Sequence, residues 1–123
     1  MHKEILNIDQ ISLLPLLKKF QREFYLVGGT AIALYIGHRR SIDFDLFKAK
    51  KFSATKIITK INASDLKYKV TRNVSEQLNL IISDVKFTFF EYPFPIEPAF
   101  LFENCIKVPT LLDLAAMKAY ALG

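Results

Sequence analysis

Two aspartates two residues apart, Asp43 and Asp45, follow a Gly28-Gly29-Thr30 triplet, with Asp43 thirteen positions after Thr30. They sit in the otherwise apolar run Ile42-Asp43-Phe44-Asp45-Leu46-Phe47. Side chains on a strand alternate between faces, so both carboxylates project to one side while Phe44 and Leu46 point into a core. Two carboxylates crowded on one face repel each other and are costly to desolvate unless positive charge lies between them. A divalent cation meets that need, and oxygen ligands of this type favour Mg²⁺ or Mn²⁺.

The glycines supply the complementary chemistry. Phe24-Tyr25-Leu26-Val27 predicts a strand over 24–28, and Thr30 to Gly37 predicts a helix directly after it. Glycines at that junction let backbone N–H groups approach a phosphate, and the helix N-terminus adds a favourable dipole. Thr30 is a candidate cap for the helix or a hydroxyl donor to a phosphate oxygen. A phosphate cradle beside metal-binding carboxylates is the equipment of phosphoryl and nucleotidyl transfer.

The remaining elements must hold these two parts together. Apolar spacing predicts a first helix from Asp9 to about Phe20, with Ile11, Leu14, Leu17 and Phe20 inward. Ser53 reads as the N-cap of a helix reaching Ala63, with Ile57, Ile58 and Ile61 as its buried stripe. Strands are expected at 42–47, 68–74, 77–83 and 85–92, the last two joined at Ser83-Asp84. Pro93, Pro95 and Pro98 are expected to end the sheet. Thr110 then caps a final helix with Leu111, Leu114, Ala115 and Leu122 inward. This order predicts an α/β fold, with helices packed on a mixed sheet of about four or five strands.

Composition sets outer bounds. The 123 residues fit one domain, and 51% apolar with 24% charged residues is ordinary for a globular chain. Eleven Phe and no Trp imply a core built on Phe, Leu and Ile. The apolar runs fall far short of the roughly 20 residues of a membrane span, and the N-terminus lacks a signal-peptide core. A single Cys105 leaves no internal disulfide, which suits a reducing compartment and a cytoplasmic location. The formal charge of +5 permits a polyanionic partner, but lysines scattered along the chain favour a solvated surface.

The stretch VGGTAIALYIGHRRSIDFDLF resembles the signature of the polymerase-beta-type nucleotidyltransferases, a glycine pair followed by two acids at alternate positions. Within that superfamily it is most similar to the AbiEii toxin family. Gly28, Gly29, Thr30, His38, Arg39, Ser41, Asp43, Asp45 and Phe47 fall on matching positions, and the stretches 85–95 and 111–122 are similar to that family's central strand and following helix. The resemblance implies a polymerase-beta-like fold and a metal-dependent enzyme that moves NMP from an NTP to a hydroxyl of RNA (tRNA among them) or protein. It also implies a toxin of a bacterial toxin–antitoxin or phage-defence pair, with a cognate antitoxin as partner. Asp43 and Asp45 would then hold Mg²⁺ or Mn²⁺. Gly28, Gly29, Thr30, Arg39 and Ser41 would position the nucleotide phosphates, and Lys118 would reach the triphosphate as a catalytic group. For Arg39, completing the helix dipole is an equal reading, and His38 is expected to pack or hydrogen-bond.

The resemblance also exposes a gap. Such enzymes carry a third acidic residue on a neighbouring strand, and the matching position here holds Thr88. Glu91 faces the other way on a regular strand and serves only if the strand is bulged. The family's helical C-terminal region is expected to be missing from 1–123, which reads as a single nucleotidyltransferase-like domain. These departures keep open an impaired module that binds NTP–metal or RNA without turnover. A phosphohydrolase using the same carboxylates is the remoter alternative.

Overall fold

The computed structural model describes residues 2–37, 43–92 and 96–122. His38, Arg39, Arg40 and Ser41 lie outside the described residues, as do Pro93 and Pro95.

The N-terminal segment begins with a 3-10 turn at Lys3–Ile5. The single helix expected from Asp9 to Phe20 is instead two short ones, α1 (Ile8–Ser12) and α2 (Leu14–Lys18). Pro15 stands in the first turn of α2, where its missing N–H is tolerated, but it cannot donate within a continuous helix. Asn7 and Gln10 cap α1 reciprocally, backbone N–H to side chain in both directions. Leu14, Leu17 and Phe20 are buried as the spacing predicted, whereas Ile11 is exposed.

Strand β1 (Tyr25–Val27) leads into α3 (Gly28–Ile36), which ends at Gly37 in the left-handed region, φ +74°. Next come β2 (Asp43–Lys48) and α4 (Ala54–Ala63), the latter capped by the Ser53 hydroxyl, which accepts the Lys56 N–H at 3.3 Å. Ile57 and Ile61 are buried and Ile58 half-buried on its inner side. The strands β3 (Tyr68–Val74), β4 (Gln77–Ile82) and β5 (Val85–Glu91) follow. Ser83 and Asp84 both have positive φ, the conformation of a tight two-residue hairpin.

The prolines do not end the sheet. Two further strands follow them, β6 (Pro98–Phe102) and β7 (Ile106–Pro109). Pro98 occupies the first residue of β6, which lies at the sheet edge, where a missing donor costs no ladder bond. Helix α5 (Leu111–Leu122) closes the described chain, and the Thr110 hydroxyl accepts the Asp113 N–H at 3.1 Å as its cap. Leu114 and Met117 are its buried positions; Leu111 and Ala115 are exposed, contrary to expectation.

The strands form one mixed sheet in the order β3-β4-β5-β2-β1-β7-β6, seven among the described residues rather than four or five. The β2/β5 and β1/β7 pairs are parallel and the other neighbours antiparallel. Phe44, Leu46, Phe87 and Phe89 are fully buried on one face, where Phe20 and Phe24 pack edge-on against Phe89. Each buried Phe contributes about 1.5–3 kcal/mol, so this aromatic layer is a main support of the sheet. Helices α3 and α5 pack together on the other face, and the Tyr35 hydroxyl ties α3 to β7 by donating to the Pro109 carbonyl at 2.6 Å.

Candidate active site

The β1/β2 register sets Val27 opposite Asp45, so the strand that ends in the glycines lies beside the strand that carries the acids. Gly28 has φ +75°, a conformation natural to glycine. A Cβ on Gly28 would fall 2.0 Å from Asp45 Oδ2, inside any real contact. The carboxylate therefore rests against the bare Gly28 backbone. Gly28 is required twice over, once by its dihedral and once by the space it leaves.

Asp43 and Asp45 occupy the same face, two positions apart on the regular strand β2. The Asp45 carboxyl is pushed up to about 6, chiefly by burial and secondly by the Asp43 charge; nearby Lys86 and hydrogen bonding from Thr88 pull against that shift. The same negative charge that raises the affinity of Asp45 for a proton favours a metal cation beside it. Mg²⁺ is characteristically held by one or two carboxylates with substrate phosphates completing its shell, and the Asp43/Asp45 pair fits that pattern. No cluster of three or more His, Cys, Asp or Glu side chains occurs among the described residues, so these two acids are not joined by a third.

Two buried polar side chains fix β2 in place. The Thr30 hydroxyl donates to the Asp43 carbonyl, and Gln10 Nε2 donates to the same carbonyl at 3.5 Å. Thr30 is 1% exposed and Gln10 wholly buried. The Thr30 hydroxyl is thus engaged with backbone, which corrects its reading as a helix cap or phosphate donor: α3 has no side-chain cap. Gln10 was missed from the sequence. A lone Gln in an amphipathic segment carries no signal of its own, although the Asn7-x-x-Gln10 spacing is that of a capping box.

A cleft of about 370 Å³ opens beside Asp45, walled by Gly28, Gly29 and Ile32 of α3 and by Leu114, Met117 and Lys118 of α5. Phe90, Glu91 and Tyr92 close its far end. Lys118 is exposed and lines the same cleft as the two glycines. The first N–H groups of a helix lack intrahelical partners, and Gly28 and Gly29, the first residues of α3, line this cleft. The apolar stretch of Ile32, Phe90, Leu114 and Met117 can take an apolar or aromatic ring.

The β2/β5 register is unbroken over six pairs, from Asp43 opposite Lys86 to Lys48 opposite Glu91. Asp45 stands opposite Thr88, so Thr88 does occupy the neighbouring-strand position beside the acids. Glu91 is three residues further on, with the strand parity of Phe87 and Phe89, and no bulge turns it toward Asp45. It borders the cleft at the strand end, with one carboxylate oxygen buried and without a hydrogen-bond partner among the described residues. Phe87, Phe89 and Tyr92 are buried in the core, and Phe90 is half-buried at the cleft.

A larger hollow, about 490 Å³, lies on the opposite face, lined by Lys48, Lys51, Lys56 and Lys60 over Phe20, Phe24 and Phe52. Its one acid, Glu23, pairs with Lys48 at 3.4 Å. It lacks both the paired acids and the glycines, so the smaller cleft is the candidate for chemistry.

The fold has counterparts. A protein of Helicobacter pylori described as a candidate nucleotidyltransferase superposes with a TM-score of 0.62 at 16% identity, over 89% of this chain and 56% of that one. A second, JHP933 from Helicobacter pylori, gives 0.59 at 15% identity, over 95% and 54% respectively. An uncharacterised protein of Aquifex aeolicus (strain VF5) is 34% identical over 113 residues, 82% of this chain and 50% of the relative. The chain spans about half the length of the relatives it matches. The profile of the nucleotidyl transferase AbiEii toxin family, of type IV toxin–antitoxin systems, matches residues 16–123. That span takes in the glycine junction, both acids, Thr88 and Lys118, and with this match over most of its length the chain belongs to the AbiEii nucleotidyltransferase toxin family.

Proposed function

We propose that this domain carries the nucleotide-transfer site of a metal-dependent nucleotidyltransferase that moves NMP from an NTP to a hydroxyl on RNA, tRNA included, or on protein. The observation that carries this reading is the contact of the Asp45 carboxylate with the Gly28 backbone, which makes the phosphate cradle and the acid pair one site. Asp43 and Asp45 would hold Mg²⁺ or Mn²⁺, whose charge would stabilise the transferring phosphoryl group and acidify the acceptor hydroxyl. The α3 N-terminus at Gly28-Gly29 binds phosphate oxygens through backbone N–H groups, and Lys118 adds a positive charge from the facing wall. Thr30 and Gln10 hold β2 so that its acids keep their register with the glycines. Positioning and charge stabilisation supply most of the rate in this chemistry. Family membership supports a toxin paired with an antitoxin; a cytoplasmic site of action is part of the proposal.

Incubation of labelled NTPs with bulk tRNA, with and without Mg²⁺ or Mn²⁺, tests the reading. Label is expected in RNA or in protein, and lost in the double variant Asp43→Asn/Asp45→Asn. Transfer that survives both substitutions would refute it. Thr88 supports a second reading, a module that binds NTP with metal and does not turn over, because a neutral hydroxyl cannot serve as a carboxylate base. Metal-dependent NTP binding without transfer to any acceptor is the outcome that selects it.

A further inference from the structure

The acids stand at one end of a polar tract that crosses the sheet. Through the paired registers of β2, β5, β4 and β3, Asp43 is in line with Lys86, Ile81 and Lys69. The next row runs from Asp45 through Thr88 and Asn79 to Arg72. Residues directly opposite one another share a face, so both rows lie on the face of Asp43 and Asp45. Lys69 and Arg72 are three apart and would fall on opposite faces of a regular strand. The register shift between Val70 and Arg72 restores them to the same one. The other face of β4 and β5 is buried core, but here Lys86, Ile81, Lys69 and Arg72 are exposed and Thr88 and Asn79 half-buried. At about 4.8 Å per strand, the tract reaches roughly 14 Å from the acids to β3. Its three cations face no acid within either row except Asp43 and Asp45 themselves.

We infer that this tract seats the acceptor: single-stranded RNA whose backbone lies across Lys69, Arg72 and Lys86 and whose terminal hydroxyl reaches Asp43 and Asp45. The assignment rests on the nucleotidyltransferase reading of the acid pair for its direction, and on charge complementarity for its ligand. Phosphates pair with the cations, and the Asn79 side-chain NH2 offers a hydrogen bond between them. The lysine-lined hollow on the opposite face is the internal control, since it is comparably basic but is not in line with the acids.

Fluorescence anisotropy of a labelled single-stranded RNA, titrated at several salt concentrations, tests the inference without requiring turnover. Losing two phosphate contacts lowers the salt slope by about 1.4, which at about 0.1 M salt is roughly 25-fold in affinity. That loss is expected for Lys69→Gln/Arg72→Gln, with less than about twofold change for Lys51→Gln/Lys56→Gln on the opposite face. Circular dichroism checks folding, and NTP–Mg²⁺ calorimetry on the same variants is expected to match the parent. Equal losses from the two pairs, or none from the first, would overturn the tract. Asp45→Asn separates the two levels of the argument: it is expected to abolish metal-dependent NTP binding while RNA affinity is kept. RNA binding that depends on Lys69 and Arg72 stands even if NTP binding ignores Asp45, in which case only the transfer reading fails. Labelling of protein alone, unaffected by Lys69→Gln/Arg72→Gln, would also overturn the acceptor assignment.

Discussion

Removing the acid at the centre of the site is expected to make the metal-free protein more stable. Asp45 titrates near 6 in the folded chain against a usual value of 3.8, so the folded state binds its proton more tightly than the unfolded state does. Above both values the charged carboxylate carries a penalty of about 3 kcal/mol, from roughly two units at 1.36 kcal/mol each. The penalty is released as pH falls through the interval between the two values, so metal-free stability attributable to Asp45 rises on acidification. At about pH 4 only about 0.5 kcal/mol of it remains. Asp45→Asn keeps the shape and an oxygen for Thr88 but cannot ionise. In a chelator at about pH 7.5 it should gain about 3 kcal/mol, a rise of roughly 10 °C in Tm for a domain of this size. Near pH 4 parent and variant should nearly coincide. Paired thermal melts at the two pH values are the assay. A destabilised variant at neutral pH, or the same shift at both, would show that Asp45 is not held under electrostatic strain and would remove the physical reason for a cation there.

Four further outcomes follow from named contacts. Gly28→Ala must place a methyl into Asp45 and strain a positive φ, so a loss of about 2 kcal/mol and of metal-dependent NTP binding is expected in melts and calorimetry. Thr30→Val leaves the Asp43 carbonyl to Gln10 alone and should cost about 1–2 kcal/mol in denaturant unfolding, whereas Thr30→Ser should recover most of it. Lys118→Met should weaken NTP affinity by roughly tenfold, the worth of one charge-assisted phosphate contact, without moving Tm. Thr88→Asp puts a third carboxylate opposite Asp45; calorimetry should show tighter Mn²⁺ binding, and metal-free melts at neutral pH should show lower stability.

Much of the site was legible in the chain because its information is local. The alternation of Asp43, Phe44, Asp45 and Leu46 states which side chains share a face, and the structure keeps that alternation. Gly28-Gly29 marks a strand–helix junction because of the conformations glycine alone adopts freely. Ser53 and Thr110 signalled helix starts because a cap acts within three residues of its own position. The β4–β5 hairpin was equally visible, being closed by two residues.

Contacts between distant segments were beyond that reach. Strands β6 and β7 are short and follow several prolines; they exist because β1 offers β7 a parallel neighbour, about eighty residues away in sequence. Thr30 looked like a phosphate ligand until its partner, thirteen residues on, proved to be the Asp43 carbonyl. Gln10 reaches that carbonyl from thirty-three residues away. The alignment of Lys69 and Arg72 with the acids depends on a register shift that alternation, read residue by residue, assigns to opposite faces. The candidate acids, the glycine junction and Thr88 in place of a third carboxylate can be read from the chain, because side-chain chemistry and short-range backbone preference belong to the residues themselves. What stands opposite Asp45, which hydroxyls are already engaged and which face stays open emerge with the folded sheet, because strand pairing and burial are settled by the whole chain at once.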